Sequence, residues 1–263
     1  MKYKKQNLAP RTYRTDEQRL RWVYRYIGNV PLNTLTVDHI VDYVNYRLEN
    51  GVQRSTIRID LIVWKAMINF YKKRGDVERN PFDLYPIKQQ PGRMTYLSLE
   101  EIERLKAYED PTKPWLNPFL NLALLTGFRR GELVNLKWRD IHPHYIQVNG
   151  KTGRRNFPMN DRIRKLLSSV DKISEYVFAH TPGADKPIDR DYATRCVRNA
   201  FRALGFPKHY TLHTLRHTFA SWLALSGHSI QEISVLMGHS TIQMTMIYAH
   251  LRPEDCNDLK LPY

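Results

Sequence analysis

Apolar residues recur three and four positions apart along most of this 263-residue chain, and run after run stops at a glycine. That spacing puts them on one face of an α-helix, so the chain must fold as helices packed through their apolar faces. The first run is read from Thr15, where Gln18 completes a capping-box pattern, to Gly28. The second runs from Thr36 as cap to Gly51, with Val37, Ile40, Val41, Val44 and Leu48 on one side. The third begins after Ser55 and ends at Gly75, carrying Ile57, Leu61, Val63, Trp64, Met67 and Ile68. Its length leaves room for a break into two helices. Residues 1–14 are basic and lack periodicity, as expected of a flexible arm.

Residues 81–97 carry Pro81, Pro86, Pro91 and Gly92 with little periodicity, which reads as a linker. Drawn at 86–97, it separates a helical unit at 15–85 from a second unit at 98–263. Ser98 and Glu101 form a capping box ahead of Ile102 and Leu105, and residues 116–125 read as a buried helix. The pattern then changes. Ile146, Val148 and Phe157 flank Asn149-Gly150 and Thr152-Gly153, the signature of a β-hairpin. Tyr176 to Ala179 reads as another short strand. From Asp189 the chain returns to helical segments, broken at Gly205-Phe206-Pro207, Gly227, Gly238 and Pro253. The expected fold class is mainly α with a small antiparallel β-sheet, built as a small helical domain and a larger mixed α/β domain.

Lys and Arg total 41 against 26 Asp and Glu, a net charge of +15. Residues 1–90 and the remainder are both positive. Such an excess favours a polyanionic partner, because each cation set on a phosphate releases condensed counterions. Two basic units on a linker suit a clamp around double-stranded DNA. Cys196 and Cys256 are too few for a disulfide framework or a Cys-rich zinc site and read as free thiols in a reducing compartment. Behind Met1 there is no apolar leader, and no stretch reaches the roughly 18 apolar residues of a membrane span. The expectation is a cytoplasmic, membrane-free protein.

Candidate chemistry sits in separate segments. In Thr126-Gly-Phe-Arg-Arg-Gly-Glu-Leu133, Gly127 ends a buried helix and Arg129 falls at the start of the next. There, free backbone N–H groups and a guanidinium suit a phosphate, although Arg129 and Arg130 also read as ordinary surface charges. In Thr211-Leu-His-Thr-Leu-Arg-His217, Thr211 is a cap and His213 shares a helix face with Arg216. His213 and His217 also stand four apart, as zinc ligands would. A zinc-protease helix needs Glu between them, and Thr214 stands there. Gly238 fits a helix stop, with Ser240 or Thr241 capping the next segment. In one unbroken helix His239 and Tyr248 would differ by about 900° of rotation and face opposite ways. The turn lets them converge. Lys151 lies in the hairpin turn, where a flexible amine can reach a leaving oxygen or stay solvated. Tyr248 is one of 16 tyrosines and alone reads as a half-buried ring.

Taken together and in this order, Arg129, Lys151, His213, Arg216, His239 and Tyr248 resemble the active-site set of the tyrosine recombinases, the phage integrase family. The resemblance is strong over 98–250 and weaker over 15–80, which is similar to the family's helical core-binding domain. It implies a site-specific DNA recombinase that cleaves and rejoins duplex DNA through a 3′-phosphotyrosyl link. A type IB-like topoisomerase and a catalytically silent DNA-binding relative are the alternatives. By resemblance, Arg129 and Arg216 hold the non-bridging oxygens of the scissile phosphate, with Glu132 as the supporting acid and Arg130 as a variable neighbour. His213 hydrogen-bonds the phosphate and helps take the tyrosine proton. Lys151 protonates the departing 5′ oxygen, His239 adds a hydrogen bond, and Tyr248 attacks. A phosphotyrosine conserves the bond energy, so no cofactor and no metal are implied. The resemblance also implies a homo-tetramer on two DNA sites and allows accessory DNA-bending or directionality proteins. With about 14 residues before the first helix, no separate arm-site domain is expected. A short terminal helix from Pro253, with Cys256 and Leu259 on one side, is expected to pack on a neighbouring subunit.

Overall fold

The computed structural model describes residues 9–88, 94–150, 153–181 and 183–251. It divides into two compact units, Met1–Gly92 and Arg93–Tyr263. The described residues are mostly helical, with one two-stranded antiparallel sheet, so the expected fold class holds.

The first unit is built from α1 (Pro10–Ile27), α2 (Val37–Glu49) and α3 (Arg54–Lys73). Helix α1 starts at Pro10 instead of Thr15. Proline fits the first helical position because its fixed φ is already helical and the N–H it lacks would have no partner there. The Thr15–Gln18 pattern therefore lies inside the helix. Residues 1–8 of the expected arm lie outside the described residues. Helix α2 opens on Thr36, whose hydroxyl and backbone N–H both meet the His39 ring. Helix α3 runs unbroken, since nothing between Arg54 and Lys73 interrupts its apolar stripe.

The apolar faces meet in a core of Val23, Ile40, Tyr43, Ile57, Trp64 and Ile68. Phe82, within the short 3-10 turn Pro81–Asp83, closes this core edge-on against Trp64 at 5.3 Å. Inside it, Asp60 is buried and bonded to Arg19 at 2.6 Å, Arg47 at 3.2 Å and the Tyr43 hydroxyl at 3.1 Å. One carboxylate thus ties all three helices, and its buried charge is matched by two guanidinium groups.

The second unit contains α4 (Leu99–Lys106), α5 (Leu116–Thr126), α6 (Arg130–Val134), strands β1 (Tyr145–Gly150) and β2 (Gly153–Pro158), then α7 (Asp161–Ser168), α8 (Arg190–Ala203), α9 (Leu212–Leu225) and α10 (Ile230–Met237). Helix α5 is the buried axis, with Phe119, Leu120 and Leu122 fully enclosed. The Ser98–Glu101 capping box forms, with bonds of 2.9 and 3.2 Å. In the hairpin, Ile146 pairs with Phe157 and Val148 with Arg155. Opposed residues share a sheet face, so Arg155 occupies the same inward face as buried Ile146, Val148 and Phe157.

Two expectations are corrected. Tyr176 to Ala179 is no strand. Tyr176 makes only an isolated bridge to Lys137, because Trp138 immediately enters the turn Trp138–Asp140 and leaves no partner strand to extend. After Gly238 the chain forms not an α-helix but short 3-10 turns, Ile242–Met244 and Met246–Leu251. Their tighter winding packs Tyr248 into a small cluster with Ala220, Ala224, Ile233 and Met237.

Gly127 ends α5 at φ +61°, and a Cβ added there would stand 2.6 Å from the Phe219 ring. Gly127→Ala combines left-handed strain with overpacking and should cost about 2–4 kcal/mol. Urea unfolding of the variant checks this, and an unchanged midpoint would show that the turn is not tight.

Candidate functional site

Two glycine turns bring the site together. The first is the stop at Gly127, which delivers Arg129 as the cap of α6. The Arg129 backbone N–H donates to Glu132 Oε2 at 2.9 Å, and its guanidinium donates to Glu132 Oε1 at 3.1 Å. The second is Gly238, also left-handed at φ +61°, which ends α10 and exposes the last carbonyls of that helix.

Both expected arginines bind these turns. Arg129 Nη2 donates to the Gly238 carbonyl at 2.8 Å. Arg216, on α9 and 3% exposed, donates from Nη1 to the Gly127 carbonyl and from Nη2 to the Met237 carbonyl, both at 2.6 Å. One guanidinium fork therefore spans the two turns. Burial, with the Arg129 charge nearby, lowers the Arg216 pKa to about 10, so it remains a cation at neutral pH.

Thr211 caps α9 as expected, with its backbone N–H donating to Thr214 Oγ1 at 2.9 Å. His213, one turn before Arg216, is exposed. Its pKa is lowered first by desolvation and then by the Arg216 and Arg129 charges. His239 is lowered to about 4, first by burial and then by Arg216, Arg129, His213 and Arg155. Its Nδ1 lies 2.7 Å from the hydroxyl of fully buried Thr245. Tyr248 is 1% exposed. Burial pushes its phenol up to about 12, with Arg216 pulling the other way. Thus Arg129, His213, Arg216 and His239 converge, and Tyr248 lies against them. Lys151 lies outside the described residues.

Two neighbours were missed as site residues by reading the sequence. Arg155, from the inward face of β2, makes a two-pronged pair with Glu132, both bonds 2.9 Å. It also donates to the Leu236 carbonyl at 3.3 Å and covers Gly238 so closely that an added Cβ would lie 2.8 Å from it. Burial alone would raise the Glu132 pKa, but the hydrogen bonds from Arg155 and the Arg129 backbone outweigh it and hold the acid ionised. Glu132 thereby joins the Arg129 turn to the hairpin, whose Gly150 approaches it within the space of one Cβ. The available signal was a charged residue at an inward strand position, which needs a buried partner. The second neighbour is His217, whose Nδ1 is 2.7 Å from the Tyr248 hydroxyl. Its ring meets His213 edge-on at 4.7 Å. Sequence reading weighed His217 only as a zinc ligand.

The comparisons agree with this architecture. Residues 95–255 match the model of the phage integrase family, and residues 1–48 match a phage integrase N-terminal SAM-like domain. The chain is 25% identical over 266 residues to a protein named tyrosine recombinase XerD from Listeria monocytogenes serotype 4b, covering 93% of this chain and 89% of that one. It is 27% identical over 239 residues to the integrase of Haemophilus phage HP1, covering 86% and 67%. In fold it is similar to a lambda integrase(75-356) dimer bound to a COC' core site, with TM-score 0.80 and 20% identity over 97% of this chain and 93% of that one. The Tn1549 transposon integrase gives TM-score 0.78 at 19% identity, covering 92% and 90%. With the family model spanning well over half of its length, the chain belongs to the phage integrase family.

Proposed function

We propose that this protein is a site-specific recombinase whose Tyr248 cuts and rejoins double-stranded DNA. The observation that carries this reading is that Arg129 and Arg216 bond the carbonyls of Gly238 and Met237 beside His239, while His213 meets His217, whose Nδ1 lies 2.7 Å from the buried Tyr248 hydroxyl. A phosphodiester gains negative charge as it is attacked, and fixed cations stabilise that charge without reorganising. Arg129 and Arg216 supply them, with His213 and His239 as hydrogen-bonding groups. Tyr248 Oη bonds to phosphorus while the bond to the 5′ oxygen breaks, leaving a 3′-phosphotyrosyl link. Lys151 gives the departing oxygen its proton.

The DNA grip is assigned to basic faces of both units. On α8, Arg195, Arg198 and Arg202 are exposed on one side. That helix begins beside the phosphate site, since Arg130 donates to Thr194 Oγ1 at 2.7 Å. Within residues 54–74, Arg54 and Lys73 are exposed on α3. The active assembly we propose is a tetramer on two DNA sites, with residues 252–263 packing on a neighbouring copy. Exposed Val235, Ile242, Met244, Met246 and Ile247, close to where that tail begins, support such a contact.

The test is a pool of nicked suicide duplexes with random sequence. The protein should form an SDS-resistant adduct enriched for one core sequence. Relaxation of any supercoiled plasmid without sequence enrichment would overturn site-specific recombination in favour of topoisomerase-like action. For Lys151→Ala, cleavage of ordinary DNA should slow by about 10²-fold or more. A 5′-bridging thiolate leaves without a proton and should restore most of that rate. Equal slowing on both substrates would remove the general-acid role.

A further inference from the structure

We propose that His217 is the general base that takes the Tyr248 proton, a task the family resemblance gave to His213. The inference rests on the assignment of Tyr248 as nucleophile. A base must first lie within hydrogen-bond reach of the proton it removes. His217 Nδ1 is 2.7 Å from Tyr248 Oη, in a part-buried contact. The ring of His213 meets that of His217 edge-on at 4.7 Å, and among the described residues no hydrogen bond joins it to Tyr248. It stands one turn before Arg216 on the same helix with its side chain exposed, a position that suits the phosphate itself.

The surroundings fit a base in waiting. On its own helix, His217 faces His213 and Arg216, and from the terminal turn it faces Tyr248. Burial first, then those neighbouring charges, lower its pKa to about 4. His217 therefore stays neutral from about pH 5 upward, and in the tautomer that carries its proton on Nε2 its Nδ1 accepts from Tyr248. Without DNA the phenol, raised to about 12, keeps its proton. A phosphate on the arginines brings the missing anion, which offsets the cations that depress His217. As Oη bonds to phosphorus, the phenol becomes strongly acidic. Its proton then passes to Nδ1, making an imidazolium, while the 5′ oxygen leaves with a proton from Lys151. In rejoining, the 5′ hydroxyl attacks phosphorus, its proton returns to Lys151, and the imidazolium returns its proton to Oη.

The decisive variant is His217→Asn, whose amide oxygen can stand where Nδ1 stands. It can accept a hydrogen bond but cannot take a proton at these pH values. Adduct formation on suicide DNA is followed with protein in excess from pH 5.5 to 9, with gel-shift binding and thermal unfolding measured alongside. Wild type should cleave at a rate that changes little between pH 7 and 9. The Asn variant should be about 10²-fold slower near pH 7, with a rate that climbs with hydroxide concentration. In His217→Ala, added imidazole should restore adduct formation at least tenfold. An Asn variant at wild-type rate, or one slowed by the same factor at every pH, would overturn the proposal. So would a folded, DNA-binding Ala variant that imidazole leaves unchanged. A wild type that forms no adduct would instead overturn Tyr248 as the nucleophile.

Discussion

Tyr248→Phe should abolish the covalent adduct on suicide DNA while leaving folding and DNA binding close to wild type. The nucleophilic oxygen is gone, and losing a nucleophile from a cooperating set costs at least about 10³-fold. The ring remains. It packs among Ala220, Ala224, Ile233 and Met237, and phenylalanine fills nearly the same volume. The structural loss is one hydrogen bond to His217, about 1 kcal/mol, plus the cost of leaving His217 Nδ1 without its partner. Gel electrophoresis in SDS reads the adduct, and gel shift reads binding. An adduct that persists would mean that another residue attacks, and the site would have to be reassigned.

Arg216→Ala should lose both activity and stability, and the second loss sets Arg216 apart from Arg129. Arg216 is almost fully enclosed, and its fork satisfies the carbonyls of Gly127 and Met237. Removing it strands two buried acceptors, at about 1–3 kcal/mol each. For a domain of this size that lowers the unfolding temperature by roughly 5–15 °C. Arg129 bonds one carbonyl at the turns, and its side chain is 26% exposed, so Arg129→Ala should destabilise less. Arg216→Lys separates the two roles. A lysine keeps the charge but cannot span both turns, so cleavage should still fall by about 10²-fold. Differential scanning calorimetry with the suicide assay checks all three variants. Equal melting of Arg216→Ala and wild type would show that the fork is not structural.

Local features were legible in the sequence because their causes are local. Gly28, Gly127 and Gly238 terminate helices where a positive φ is needed, and each reads as a stop. Thr36, Ser98 and Thr211 cap helices through bonds three residues away. The hairpin register comes from alternation around two glycine-bearing turn signals. Where reading failed, a competing local cause was missed. Pro10 begins α1 ahead of a good capping pattern at Thr15, and the apolar run 176–179 has no strand beside it long enough to pair.

The sequence by itself determined the helical class, the hairpin, the helix ends and the residue types of the site, since each depends on neighbours a few positions apart. Only the tertiary structure decided what those residues touch. Arg129 reaches Gly238 across 109 positions, Arg216 reaches Gly127 across 89, and His217 reaches Tyr248 across 31. Such contacts depend on how helices pack, and periodicity carries no record of the packing partner. The winding of the last turns is of the same kind. A 3-10 path instead of an α-helix turned Tyr248 inward onto His217, a contact between positions 31 apart that the periodicity of neither segment records.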